Sequence, residues 1–289
     1  MSEAQSIQWF PGHMTKTRRQ IEKSLKLVDA VAEIIDARIP VSSRNPVLSN
    51  LIQNKPRVIL MNKSDMADPA QTSRWISYYK SKGISALPID CKTGKGLNGF
   101  TPLIKEVLSE RIAAWESKGM VCRQIRVMVV GIPNVGKSSL INRLAKNSKA
   151  NVEDRPGVTR SNQWFTIGKG FELLDTPGVL WPKFEDKLVG ERLAFTGAVK
   201  DEVVDTEHLA SRLLEVLRDQ YGNAMTQRYK LENIDIAALK GYELLEMIGK
   251  KRGMLVSGGE VDMERASIMV LDEFRSAKLG KITLEQAGK

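Results

Sequence analysis

The sequence predicts an α/β fold: a Rossmann-like parallel sheet built around a phosphate-binding loop, followed by a small all-α domain. Three observations carry this. Gly131-Ile-Pro-Asn-Val-Gly-Lys-Ser-Ser139 fits G-x-x-x-x-G-K-[ST] between an apolar run, Ile125–Val130, and a helix start at Leu140. Short apolar runs alternate with helical periodicity through the first half of the chain, the pattern of a parallel sheet with crossover helices. From Val203 onward apolar residues recur only at i, i+3 and i+4 spacing.

A chain of 289 residues accommodates two domains with cores of their own. No stretch approaches the length of a membrane span and no signal peptide opens the chain, so a soluble, cytoplasmic, monomeric protein without membrane association is expected. Cys91 and Cys122 form no framework and are expected as reduced thiols, with no spaced metal site. There are 44 Lys and Arg against 34 Asp and Glu, a net charge of +10. Residues 200–289 hold 14 basic and 16 acidic residues, so residues 1–199, with 30 against 18, carry the whole excess. A basic field of this kind suits a polyanion such as RNA, although a scattered solubilising surface gives the same count.

Residues 7–14 combine two aromatics, a Pro-Gly pair and His13 in a turn. A basic helix follows from about Thr15 to Leu27, with Ile21, Leu25 and Val28 facing the core. On residue chemistry alone His13 reads as an ordinary turn histidine. Val31–Asp36 reads as a strand, and the polar stretch Ala37–Pro46 lies at its carboxyl end, where doubly wound sheets bind ligands. Val47–Gln53 is a helix. Arg57–Met61 is the next strand, and Asn62, Lys63, Ser64 and Asp65 follow at once.

Asn-Lys-x-Asp after a strand suits guanine recognition. The Asp65 carboxylate can accept from both N1–H and the exocyclic amine of guanine, a donor pair that adenine lacks. Asn62 is expected to tie this loop to the phosphate loop, and the stem of Lys63 to cover the base. Asp68–Lys82 reads as a helix and Ile84–Ile89 as a strand, followed by Asp90-Cys-Lys-Thr-Gly94. Here GTPases carry Ser-Ala-Lys, whose backbone N–H contacts the guanine carbonyl. Asp-Cys-Lys departs from that pattern, and the contact is assigned to Cys91 with Lys92 beside it. Leu97–Ser117 reads as one helix.

In the phosphate loop, the backbone at Asn134, Val135, Gly136 and Lys137 is placed to cradle phosphates. The Lys137 ammonium is placed for the β- and γ-phosphates, and the Ser138 hydroxyl, with Ser139 beside it, for Mg²⁺. Pro156-Gly-Val-Thr159 resembles a first switch whose Thr159 completes the Mg²⁺ shell. Gln163–Ile167 and Phe171–Leu174 read as a hairpin, ending in Asp175-Thr-Pro-Gly178. Asp175 is expected to hold Mg²⁺ through water and the Gly178 N–H to meet the γ-phosphate. The helical patterns of Ala210–Leu217, Ala237–Leu245 and Met263–Lys278 complete the chain, with no catalytic constellation among them.

The order of these motifs is unusual. Asn62–Asp65 precedes Gly131–Ser138, and the chain runs from Gly178 straight through residues 179–183 into the helical part. The sequence resembles the circularly permuted GTPases, most closely those of ribosome biogenesis. The residues carrying the resemblance are Trp9-Phe-Pro-Gly-His-Met14, Asp36-Ala-Arg-Ile-Pro-Val-Ser-Ser-Arg-Asn-Pro46, Asn62–Asp65, Gly131–Ser139, Pro156–Thr159 and Asp175–Gly178. It implies GTP hydrolysis coupled to late maturation of the large (50S) ribosomal subunit, contact with its rRNA through the C-terminal helices, and turnover stimulated by the ribosomal particle. The net −2 of residues 200–289 complicates that contact, and a local patch such as Lys250-Lys-Arg252 is not shown by the sequence to serve it.

The chain then divides into an N-terminal segment and basic helix (1–28), a permuted P-loop GTPase domain (29–182), a linker (183–202) and the helical domain (203–289). Many GTPases place a glutamine after Asp-x-x-Gly, whereas Val179 stands here and cannot orient water. The resemblance implies that His13 substitutes, alongside Lys137, Thr159 and Gly178. Asn134 resembles the asparagine that binds K⁺ in potassium-stimulated GTPases. Two alternatives stay open at this level: an RNA-binding module that uses GTP with little intrinsic hydrolysis, and a GTPase acting on another RNA.

Overall fold

The computed structural model describes residues 11–120, 123–146, 152–153, 163–168, 170–178, 180, 186–199 and 201–288. Of residues 11–17, 152–153 and 203 it describes the main chain. The described residues form two units, one of residues 11–180 with 285–288 and one of residues 186–284.

The first unit carries the α/β fold. Its strands are β1 (Ala30–Asp36), β2 (Arg57–Asn62), β3 (Ser85–Pro88), β4 (Ile125–Val130), β5 (Val152–Glu153), β6 (Trp164–Thr166) and β7 (Phe171–Asp175). They lie in the order β3-β2-β1-β4-β7-β6-β5, with the first five parallel and the last two antiparallel. All seven residues of β1 are buried, including Glu33, whose charge is met by the fork of Arg44 at 3.0 and 2.9 Å.

Helices α1 (Pro11–Leu25), α2 (Pro46–Ile52) and α3 (Pro69–Ser81) cover one face of the sheet. Ile21 and Leu25 from α1, and Leu48 and Ile52 from α2, pack with Val31, Met128 and Leu174. Trp75 and Tyr79 of α3 pack with Ile35, Ile59 and Met61. Asn45 and Asp68 cap α2 and α3 by accepting from main-chain N–H groups, each cap contributing about 1 kcal/mol. On the opposite face, Gly99 approaches Leu87 at the head of α4 (Phe100–Val107). The single helix expected over Leu97–Ser117 is a 3₁₀ turn, α4 and α5 (Ser109–Glu116), parted at Leu108 (φ −101°, ψ 8°). The break falls where the apolar stripe ends: Leu108 is buried, and α5 buries nothing. α6 (Lys137–Lys146) continues the phosphate loop.

The second unit is helical: α7 (Lys187–Phe195), α8 (Thr206–Tyr229), α9 (Gly241–Lys251) and α10 (Met263–Arg275). Its core includes Leu213, Leu217, Leu244, Ile248, Val270 and Phe274, all at 2% exposure or less. Gly241 lets α9 approach α8, since a Cβ there would lie 2.1 Å from Ser211 O. Two features differ from the sequence reading. The stretch 183–202, read as a linker, holds α7, whose Leu193, Ala194 and Phe195 are core residues. Residues 285–288 group with the α/β unit and not with the helices before them. No helix among the described residues is long and apolar enough to cross a membrane.

Candidate functional site

The strand order places the site. β1 and β4 are neighbours whose onward chains cross to opposite sides of the sheet, which opens a crevice at their carboxyl ends. The loops after β1, β2, β3, β4 and β7 all leave from that edge.

Gly131–Gly136 turns at the end of β4 without room for larger residues. A Cβ on Gly131 would lie 2.6 Å from Ile34 O, and one on Gly136 (φ +110°) 2.2 Å from Asn62 Nδ2. Asn134 is left-handed at φ 58°. Lys137, 8% exposed, donates from Nζ to Gly131 O at 3.1 Å and Ile132 O at 2.9 Å. Burial pulls its pKa down from 10.5 to about 8, with the Asp175 charge opposing. Ser138 and Ser139 are exposed.

Asn62 joins three loops. Its Nδ2 donates to Val135 O at 2.7 Å, and its Oδ1 accepts from Cys91 N at 2.9 Å. The sequence reading gave the Cys91 N–H to a guanine carbonyl; in the structure Asn62 takes it. The reason is physical, since a buried amide donor takes the nearest acceptor. Lys92 N donates to Asp90 Oδ1 at 2.7 Å, and Arg143 donates to Lys92 O. Burial pushes the Cys91 thiol up to about 12, so it stays protonated. Ser64 bonds to Ile89 O through both its amide and its hydroxyl, at 3.2 and 2.9 Å. Lys63 is left-handed (φ 59°) and its ammonium pairs with Asp36 at 2.9 Å. Asp65 Oδ1 is buried and has no protein hydrogen-bond partner.

Asp175 ends β7, and Thr176 Oγ1 donates to Val129 O at 2.6 Å. Asp175 Oδ1 is likewise buried without a protein partner, and burial raises its pKa despite Lys137. A Cβ on Gly178 would lie 2.7 Å from Lys137 Nζ and 3.0 Å from Pro133. Asn134, Lys137, Ser138, Gln163, Asp175 and Gly178 line one cleft of about 420 Å³. The structure thus brings together Asn62, Cys91 and Val135 by direct bonds, and Asn134, Lys137, Ser138, Asp175 and Gly178 around one cleft. Thr159 and Val179 lie outside the described residues, as does the side chain of His13, whose main chain is in α1.

The chain matches the family model described as 50S ribosome-binding GTPase over residues 126–241. It is 50% identical over 283 residues to ribosome biogenesis GTPase A of Priestia megaterium, covering 97% of this chain and 96% of that one. It is 49% identical to ribosome biogenesis GTPase A of Bacillus cereus, covering 96% and 93%. The chain belongs to the ribosome biogenesis GTPase A family. It is therefore a GTPase of ribosome biogenesis, and its phosphate loop and base loop come in the permuted order. Among solved structures, the crystal structure of GNP-bound YlqF from Thermotoga maritima is 27% identical, with a TM-score of 0.67 over 95% of this chain and 99% of that one. A GDP-bound structure of TM YlqF gives a TM-score of 0.68 at 27% identity over 94% and 100%.

For a GTPase of this family, sequence reasoning passed over Asp36 and Arg38 as chemistry. Arg38 forks onto Asp36 at 2.9 and 2.8 Å, and both residues are 2% exposed. Arg38 and Lys63 hold the Asp36 carboxyl far below the usual carboxylate range against the burial that raises it. The available signal was a charged Asp-x-Arg directly after an apolar strand.

Proposed function

We propose that this GTPase acts in late maturation of the large (50S) ribosomal subunit, as a cytoplasmic monomer that contacts rRNA. The family assignment supports ribosome biogenesis; the basic excess on residues 1–199 supports an RNA partner. The observation that carries the site assignment is the Asn62 junction, which locks the phosphate loop to both base-side loops.

In this reading Asp65 accepts from guanine N1–H and the exocyclic amine, a donor pair that meets its buried Oδ1. Lys63 and Ser64 complete that side, and Lys92 closes the edge of the base. The main chain at Asn134–Ser139 cradles the phosphates, with the Lys137 ammonium turning from its loop carbonyls to the β- and γ-oxygens. Ser138 and Asp175, on one cleft, fit Mg²⁺, because Asp175 Oδ1 is a buried oxygen with no protein partner. When bound, that ion supplies charge neutralisation at the β- and γ-phosphate oxygens. His13 orients the attacking water, where Val179 cannot. Oxygen of that water bonds to the γ-phosphorus, the bond from it to the β–γ bridging oxygen breaks with its electron pair going to GDP, the water's proton passes to a γ-phosphate oxygen, and GDP and phosphate leave. The Gly178 N–H and Lys137 hold the charge that develops.

Asn134 contributes to a K⁺ site beside the phosphates. Turnover several-fold faster in KCl than in NaCl, with the difference removed by Asn134→Ala, is the expected result; equal rates in both salts reject that site. The partner is tested by co-sedimentation at controlled salt. A non-hydrolysable GTP analogue is expected to retain the protein on large subunits and not on small ones, whereas equal binding to any RNA favours a general polyanion contact.

A further inference from the structure

Glu285 lies 244 residues along the chain from Val41, yet its carboxylate caps the loop after β1. Oε2 accepts from Val41 N at 2.5 Å, and the two oxygens accept from Ser42 N at 3.1 and 3.2 Å and from the Ser42 hydroxyl. The Glu285 carbonyl accepts from Trp75 Nε1 at 3.0 Å. The residue is 4% exposed. A buried carboxylate ringed by successive N–H donors is a main-chain anion nest, here filled by the chain's own C-terminal strap.

The loop it caps leads to the base-reading element. Ser43 Oγ accepts from Asp36 N at 3.0 Å and donates to Ile39 O at 2.7 Å. Tyr79 OH donates to Pro40 O at 3.1 Å. Within this fixed turn Arg38 forks onto Asp36, its own N–H donates to Asp36 Oδ1 at 3.0 Å, and Asp36 Oδ2 holds the Lys63 ammonium at 2.9 Å. Asp36, Arg38, Ser42, Ser43 and Glu285 are all 4% exposed or less, so the polar side chains between the strap and Lys63 are shielded from water. A clamp placed only to hold the tail could end anywhere on the unit. This one ends on Lys63, whose left-handed backbone and tethered ammonium set where its stem lies.

We infer that Glu285 is a positioning residue for guanine-nucleotide binding, acting through the loop 37–43 and Asp36 on Lys63. The inference rests on the proposed placement of Lys63 against the base. Glu285 directly follows Leu284, where the helical unit ends.

The test is a double-mutant cycle on the full-length protein, read as affinity and dissociation rate of a fluorescent GDP analogue. Glu285→Gln keeps one acceptor but turns an NH₂ toward the Val41 and Ser42 donors. It is expected to weaken binding roughly fivefold, chiefly through faster dissociation. Lys63→Met is expected to weaken binding at least as much. The double variant is expected to bind no more weakly than Lys63→Met alone, because both changes interrupt one relay. A further full loss in the double variant, or no change with Glu285→Gln, overturns the inference. No change with Lys63→Met overturns the placement of Lys63 and the inference together, and so separates the two failures. If Glu285→Gln does not fold, Ser42→Ala replaces it in the same cycle, with a smaller shift and the same non-additivity expected.

Discussion

Asn62 donates to the Val135 carbonyl at 2.7 Å across 73 residues of chain, and its other amide atom accepts from Cys91. One carboxamide therefore fixes the phosphate loop relative to two loops on the base side. It can do this because only β1 separates β2 from β4 in the sheet, although the base loop precedes the phosphate loop in sequence. The permuted order changes where the chain begins and leaves this junction intact.

Asn62→Ala leaves a buried carbonyl and a buried amide without partners, at about 1–3 kcal/mol each. The expected outcome is lower thermal stability together with GDP binding weakened roughly tenfold or more. Titration with a fluorescent GDP analogue, beside a denaturant melt, checks both.

Gly136 faces the same carboxamide. A Cβ there would stand 2.2 Å from Asn62 Nδ2 on a backbone at φ +110°. Gly136→Ala is expected to abolish detectable nucleotide binding. Gly168→Ala, where nothing lies within 4 Å of the added carbon, is expected to keep it. That control carries only the strain of its left-handed backbone, about 1 kcal/mol.

Lys137 gives a pH dependence. Burial lowers its pKa from 10.5 to about 8, so below 8 both folded and unfolded chains hold the proton and the fold bears the whole desolvation cost. Between 8 and 10.5 the unfolded chain holds more protons, and stability rises with pH. Lys137→Met is expected to stabilise the nucleotide-free protein at neutral pH by up to about 3 kcal/mol while removing GDP binding. That stability difference should shrink as pH climbs through this window. In the wild type, phosphate favours the charged ammonium, so GDP affinity falls above pH 8 and binding takes up a proton. Calorimetry in buffers of different ionisation enthalpy measures the uptake.

The sheet and the site were legible where local pattern and local chemistry coincide. Ile125–Val130 reads as a buried strand because both faces of a parallel sheet are covered, and Gly131–Ser139 reads as a phosphate loop because its spacing encodes its own turn. The base loop is visible for the same reason: Asn62–Asp65 follows a strand directly. What stayed hidden depends on partners distant in sequence. The Cys91 amide bonds to Asn62 only once β2 and β3 are paired. Asp36 at the strand end and Arg38 in the loop after it look like isolated charges until Lys63 is brought beside them. The break at Leu108 and the core role of α7 follow from which residues find a packing surface, which periodicity alone does not report. Glu285 gives no signal at all in sequence, since its donors lie in a loop at the other end of the chain.

The most direct test of the whole account is GTP turnover by the full-length protein at matched KCl, alone, with large ribosomal subunits, and with small ones. Strong stimulation by the large subunit and none by the small one is the predicted result. Tight GTP binding with turnover indifferent to the large subunit would contradict it.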